Sequence, residues 1–283
     1  MIDETVEEIA DMQTHSASNV AIKAARALLT VADREVTTVE EYERDLERNA
    51  SVLRRANPSH AILQNAMADI VDAVSTADLT DVEDAKAVTR STVDTVIENV
   101  RREKQDAAAN AVPLFEDGST ILTHDYSSTV LAGLERAVED GRELEVYVTE
   151  ARPRYLGRRT ARRLAGLDGI ETHLIVDSAA GHHLPECDRV ITGITSIVDD
   201  NMYNRIGTFP LAATANEVGT PMVAVGASSK IVGKRFVFEN EYRPVSEVMR
   251  EPAEGFDIEN PGYDATPLSL VDTIITDEGE LES

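Results

Sequence analysis

The chain has 283 residues, enough for one large or two modest domains with a buried core. Its 52 acidic against 27 basic residues give a formal net charge of −25, which argues against the basic surface that nucleic-acid binding needs. A single cysteine, Cys187, excludes an intrachain disulfide and a cysteine-rich zinc site, and no apolar run reaches the roughly 18 residues of a membrane span. The start, MIDETVEEIADM, lacks a basic segment and an apolar leader, so a soluble, unexported, cytoplasmic protein is expected. The acids are spread along the chain and Arg outnumbers Lys 22 to 5. That spread fits adaptation to a salt-rich cytoplasm, where charges are screened over roughly 3 Å at about 1 M salt.

In chain order, residues 1–112 read as an all-helical domain. Apolar residues recur at helical spacing through 6–33, interrupted by a Ser-rich break near His15–Ser18. Thr38 with Glu41 three residues on predicts a capping box opening a helix over 38–56. Pro58 is expected in the first turn of the next helix, and 81–112 reads as a long amphipathic stretch.

Residues 113–283 change pattern. Short β-branched runs at 121–123, 144–149, 172–176, 188–192 and 221–226 alternate with helical segments at 127–138, 157–166, 179–184 and 208–217. Such alternation predicts an α/β fold, a Rossmann-like doubly wound parallel sheet with right-handed crossovers. Residues 234–264 read as an excursion over the end of the sheet. The tail 268–276 reads as a last helical turn or strand.

Several of these runs end abruptly in polar residues: Thr123-His124, Thr149-Glu150 and Asp177-Ser178. Parallel strands do this at their carboxyl ends, where loops turn polar groups into a shared crevice. The runs THDYSS (123–128), VTEARPRYLGR (148–158), DSAAG (177–181), NRIGT (204–208) and NPGYDATP (260–267) resemble, in order and spacing, those of one family. It comprises the alpha, beta and delta subunits of translation initiation factor 2B, with methylthioribose-1-phosphate and ribose-1,5-bisphosphate isomerases. The resemblance is specific over about 115–280 and in register over 10–110.

The resemblance implies a strand-end pocket for a phosphorylated sugar or nucleotide. In the isomerases a cysteine after Thr-His and an aspartate two residues beyond a glycine move protons between C1 and C2. Here those positions hold Asp125 and Thr195, the only catalytic candidates. A carboxylate is a usable base, but a hydroxyl cannot replace its opposing partner. The family's Arg-Gly-Ala and Arg-Pro-Thr segments are His15-Ser16-Ala17 and Asn57-Pro58-Ser59 here, which weakens two phosphate anchors. The candidate anion-binding residues are His15, Ser16, Arg152, Asn204, Arg205, Thr208 and Lys230, the helix after Gly207 offering its amides. In a purely structural role, Arg152 and Arg205 pair with Glu150 and Asp177 to brace the loops. His182, His183 and Cys187 read as pocket-lining histidines and a buried thiol rather than a metal site, and no cofactor is implied. His124 is expected to fix a loop by hydrogen bonding.

The expectation is a non-catalytic binding or regulatory protein of the initiation-factor-2B type. It would be a homodimer or larger homo-oligomer, with the alpha subunit of translation initiation factor 2 as a partner and a remnant sugar-phosphate or nucleotide pocket. The alternative is an aldose–ketose isomerase of ribose 1,5-bisphosphate or a related phosphopentose, with Asp125 as base. A more distant third is a nucleotide sensor in nucleoside salvage.

Overall fold

A computed structural model describes residues 2–11, 16–233, 236–251 and 254–282. The chain divides into two compact units, residues 1–103 and 104–283, so the division falls within a helix rather than at 112/113.

The first unit is helical: α1 (Ile2–Ala10), α2 (Ala17–Ala32), α3 (Val39–Ala56), α4 (Ala61–Thr76) and most of α5 (Val82–Ala111). Val20, Ala24, Leu28 and Val31 form one stripe of α2 and pack with Leu46 and Leu53 of α3 and Leu63, Met67 and Ile70 of α4. Tyr42 is buried there, and its hydroxyl donates to Thr89 Oγ1 at 2.7 Å, which removes the cost of an unpaired polar group. The Thr38 side chain caps α3 by accepting from the Glu41 amide at 3.2 Å. Glu41 reaches back to the amide of Thr37 at 3.0 Å rather than that of Thr38, one residue out from the expected box. Pro58 lies outside α4, whose first helical residue is Ala61. Among the described residues no helix is long and apolar enough to cross a membrane.

The second unit is a Rossmann-like doubly wound sheet. Its elements run β1 (Thr120–His124), α6 (Ser128–Glu139), β2 (Leu144–Thr149), α7 (Gly157–Leu164), β3 (Ile170–Ile175), α8 (Ala180–His183) and β4 (Arg189–Gly193). Next come β5 (Ser196–Val198), β6 (Asn201–Arg205), α9 (Thr208–Val218), β7 (Met222–Val225), β8 (Ile231–Val232), β9 (Tyr263–Pro267), β10 (Thr273–Thr276) and β11 (Gly279–Glu282). The main sheet has the order β11-β10-β7-β4-β1-β2-β3, parallel except for β11. The tail is thus a strand beside β7, with a hairpin partner. Both faces are buried, so neighbours along a strand enter different cores. Ile121, Ile191 and Val223 go to one side, Leu122, Val190 and Met222 to the other.

From β1 the strand order runs to β2 and β3 on one side and to β4 and β7 on the other. The switch point therefore lies between β1 and β4, where doubly wound sheets open a crevice at the strands' carboxyl ends. A second sheet, β8-β5-β6-β9, begins just after β4. Its β5–β6 hairpin occupies residues to which no strand had been assigned; a two-residue Asp199-Asp200 connection closes it, with Asp199 at φ 50°. Aspartate tolerates that left-handed conformation, which is why two acids can serve as a hairpin turn.

Gly157 starts α7 hard against the end of β2: a Cβ there would lie 1.8 Å from the Thr149 carbonyl oxygen. Replacing Gly157 with Ala should lower stability by about 4 kcal/mol or abolish folding. Gly141→Ala, at φ 85° with open space, should cost only about 1 kcal/mol. Urea denaturation of the two variants checks the contrast.

Candidate functional site

Asp125 directly follows β1, and Ile194-Thr195 directly follow β4, so both catalytic candidates leave strands that flank the switch point. Asp125 adopts φ 63°, and its carbonyl oxygen accepts a hydrogen bond from Thr160 Oγ1 of α7 at 2.6 Å. Its buried carboxylate pairs with Arg205 Nε at 3.2 Å, and the Arg205 guanidinium stacks on Tyr263, 4.8 Å from the ring centre.

Next along the crevice is the loop after β2. Ala151 and Tyr155 also adopt positive φ, 58° and 59°. Non-glycine residues in this region cost about 1–3 kcal/mol each, and hold it only where their surroundings insist. Here the insistence comes from Asp177, whose carboxylate accepts from the Ala151 amide at 2.8 Å and the Arg152 amide at 2.7 Å. The Arg152–Pro153 bond is cis. Asp177 braces the loop through its backbone, and Glu150 pairs with Arg158 at 2.6 Å. This corrects the expected pairing of these acids with the Arg152 and Arg205 side chains. Arg152 instead donates to the Tyr155 hydroxyl and to the Val248 carbonyl at 3.4 Å.

Arg152, Arg154, Arg205 and Arg243 line one small cavity with Asp125 and Glu247, four cations against two carboxylates. Glu247 serves Arg243 at 3.0 Å and Arg154 at 3.7 Å. Burial, then the Arg205 and Arg243 charges, push Arg154 below its ordinary pKa, the mark of a guanidinium crowded by its own kind. The cavity holds only about 20 Å³, room for about one water molecule.

The other candidates sit around this centre. Thr195 Oγ1 lies 3.3 Å from Asn204 Oδ1, and Asn204 Nδ2 donates to Thr208 Oγ1 at 3.2 Å. Lys230 is buried and donates to the Ile194 carbonyl at 2.6 Å. Ser16 precedes α2 in the first unit, and His15 lies outside the described residues. The amides opening α9 are already engaged, since Asp264 Oδ2 accepts from Gly207 at 2.7 Å and Phe209 at 3.1 Å. The helix start is therefore capped rather than open to an anion as expected. Asp264 pays for that position in desolvation: burial raises its pKa, opposed by the Phe209 and Gly207 amides and by His124. His124 bonds the Ile206 carbonyl through Nε2 at 2.9 Å and Thr149 Oγ1 through Nδ1 at 2.6 Å. A carbonyl only accepts, so Nε2 carries a proton and donates it to Ile206. Gly207, at φ 104°, lets this ring pass, because a Cβ there would sit 2.8 Å from His124 Cε1.

Sequence reasoning missed Arg154, Arg243, Glu247 and Asp264. Arg154 stands within the quoted VTEARPRYLGR run, and Asp264 within NPGYDATP, so their neighbours carried the signal. Arg243 and Glu247 lay in the excursion, which has no periodicity to mark them. His183 stacks on Tyr147 with ring centres 4.5 Å apart, and among the described residues no group of three His, Cys, Asp or Glu side chains is placed to hold a metal.

The sequence matches the Initiation factor 2 subunit family over residues 13–283. It is 33% identical to the ribose 1,5-bisphosphate isomerase of Haloferax volcanii, over 98% of this chain and 87% of that one. Among solved structures it is similar to the translation initiation factor eIF-2B of Pyrococcus horikoshii, with a TM-score of 0.85 and 26% identity over 99% of this chain and 96% of that one. The 5-methylthioribose 1-phosphate isomerase of the same organism superposes with a TM-score of 0.81 at 25% identity, over 99% of this chain and 84% of that one. The isomerase relatives overturn the expectation of a non-catalytic factor. That expectation treated a missing opposing acid as decisive, whereas the near full-length likeness favours the enzyme alternative.

Two outcomes follow from the geometry. Arg205→Leu strands the buried Asp125 carboxylate, so stability in urea denaturation should fall by about 3 kcal/mol. Burial raises the Cys187 thiol to about 11, so at pH 8 thiolate is scarce and iodoacetamide should label native protein roughly a thousandfold more slowly than the same thiolate fully ionised. Mass spectrometry before and after denaturation should show about a hundredfold difference at pH 8, because the denatured thiol, near pKa 9, is itself only about a tenth ionised.

Proposed function

Because this chain belongs to the Initiation factor 2 subunit family, we propose that it is an aldose–ketose isomerase of phosphorylated pentoses, with ribose 1,5-bisphosphate as the substrate. The observation that carries the reading is a buried carboxylate, Asp125, beside the switch point and facing an arginine-lined cavity. The isomerase names of the relatives support the choice of reaction.

The conversion moves one proton from C2 to C1 and one from the C2 hydroxyl to the ring oxygen as its bond to C1 opens. A single carboxylate can carry the carbon-bound proton on one face of the sugar, as one glutamate does in triosephosphate isomerase. In this reading Asp125 does that work. In the resting arrangement its carboxylate is engaged by Arg205. A phosphate arriving at Arg205, Arg243 and Arg154 competes for the guanidinium and releases the carboxylate. The Thr195 hydroxyl holds no proton of its own to spare, so it acts only as a relay between oxygens, gaining one proton as it gives another. The cavity's small volume means that binding displaces the Arg154–Glu247 contact. The working form in this reading is a homodimer or larger homo-oligomer, which light scattering on the eluting protein tests.

Purified protein incubated with ribose 1,5-bisphosphate at low and at molar salt should form ribulose 1,5-bisphosphate, followed by NMR. Asp125→Asn should lower turnover by at least about a hundredfold, and Thr195→Val by less. Absence of conversion by the unaltered protein under both conditions would discard the reading.

A further inference from the structure

The helical unit carries an open groove of about 650 Å³ between α3 and α4, to which the strand-end chemistry gives no role. Leu46 and Val52 of α3 and Val71 and Val74 of α4 supply its apolar surface. Leu46 and Val74 belong to the unit's core and Val71 packs against it, whereas Val52 is 37% exposed. A lone exposed valine needs no explanation, but this one continues an apolar seam that the core leaves open to solvent.

The rim of the seam is cationic. Arg44, Arg48 and Arg55 line it from α3, and their spacing puts them on one stripe of the helix. At about 1.5 Å per residue the stripe is roughly 16 Å long, or about three turns. All three side chains are exposed. Arg48 and Arg55 make no hydrogen bond or ion pair among the described residues, and Arg44 spends only its Nε, on the Glu40 carbonyl at 3.0 Å. Of the two carboxylates in the wall, Glu47 is taken at 2.7 Å by Arg54, which lies outside the groove, so Glu43 alone is uncommitted. Three guanidinium groups with donors to spare against one carboxylate reverse, locally, the sign of a chain of net charge −25. The charges are strung along the groove rather than gathered at one end. A compact anion would engage one of them; an elongated partner with acids a turn apart meets all three.

We propose that the α3–α4 groove is a docking site for an acidic amphipathic helix of another protein. About three turns of that helix lay their apolar edge along Val52 and Val71 and present carboxylates to Arg44, Arg48 and Arg55. The apolar seam supplies contact area, and the arginine stripe selects acidic partners and sets their register. The site stands apart from the pentose chemistry, and neither reading depends on the other.

Fluorescence anisotropy with a labelled helical peptide of about 18 residues tests this. The probe carries a leucine stripe flanked by glutamates, and a control peptide has lysine in place of every glutamate. At low ionic strength the full chain should bind the acidic probe at least about tenfold more tightly than the control, and most of that margin should vanish at about 1 M salt. The double variant Arg48→Glu with Arg55→Glu should weaken the acidic probe by at least about tenfold, and Val52→Glu should do the same, with melting temperatures unchanged because all three side chains are exposed. No binding of the acidic probe, equal affinity for the two peptides, or affinity unchanged in the double variant overturns the site. Two other outcomes also overturn it. A change of oligomeric mass in the double variant, read by light scattering, assigns the groove to a second copy of this chain. Capture by anionic phospholipid vesicles that the acidic probe cannot displace assigns it to a membrane surface.

Discussion

Arginine charge that cannot be neutralised by losing a proton governs the carboxyl end of this sheet. Arg152, Arg154, Arg205, Arg243 and Arg250 share two neighbouring cavities with Asp125 and Glu247. A guanidinium stays protonated at any ordinary pH, so the excess is met by geometry or by a bound anion. Geometry goes some way. Asp125 takes Arg205, Glu247 divides itself between Arg243 and Arg154, and aromatic rings lie under Arg205, Arg152 and Arg158. Among the described residues lining the two cavities arginines outnumber carboxylates, in a protein otherwise strongly acidic.

The backbone around these charges is correspondingly constrained. Asp125, Ala151 and Tyr155 all adopt left-handed conformations that side chains disfavour, and all three line the cavities. Asp177 and Thr160 hold the loops through main-chain atoms, so the strain is carried by neighbours outside the cavities' polar wall. On the other side of the crevice, Asp264 of β9 fastens the start of α9 while Arg205 of β6 reaches back to β1. The small second sheet thus positions the positive partner of the carboxylate that the main sheet presents.

Much of this was legible before the fold was known. The β-branched runs ending in Thr-His and Thr-Glu located β1 and β2 and the polar ends that matter, because a strand buried on both faces leaves a continuous apolar signature. Asp125, Arg152 and Arg205 were singled out and do share one cavity. The β5–β6 hairpin was not legible: its turn is two aspartates, and its strands alternate polar with apolar residues too briefly to stand out. Arg243 and Glu247 were invisible for a different reason. They lie in a segment with little regular structure, so only the path of the chain brings them to Arg154. The pairing of Arg205 with Asp125 rather than Asp177 was equally out of reach, since it depends on which loop crosses which strand end. The functional inference failed where it equated one absent acid with absent chemistry.

The order in which the chain supplies these parts has a bearing on its biogenesis. β10 and β11 close one side of the main sheet, and β9 completes the small one, yet all three come from residues 263–282. During ribosomal synthesis the helical unit emerges whole long before them, while β7 must wait with an unpaired edge and α9 with uncapped amides. A nascent chain halted in that interval would display a sticky strand until residues 263–282 arrive to cover it.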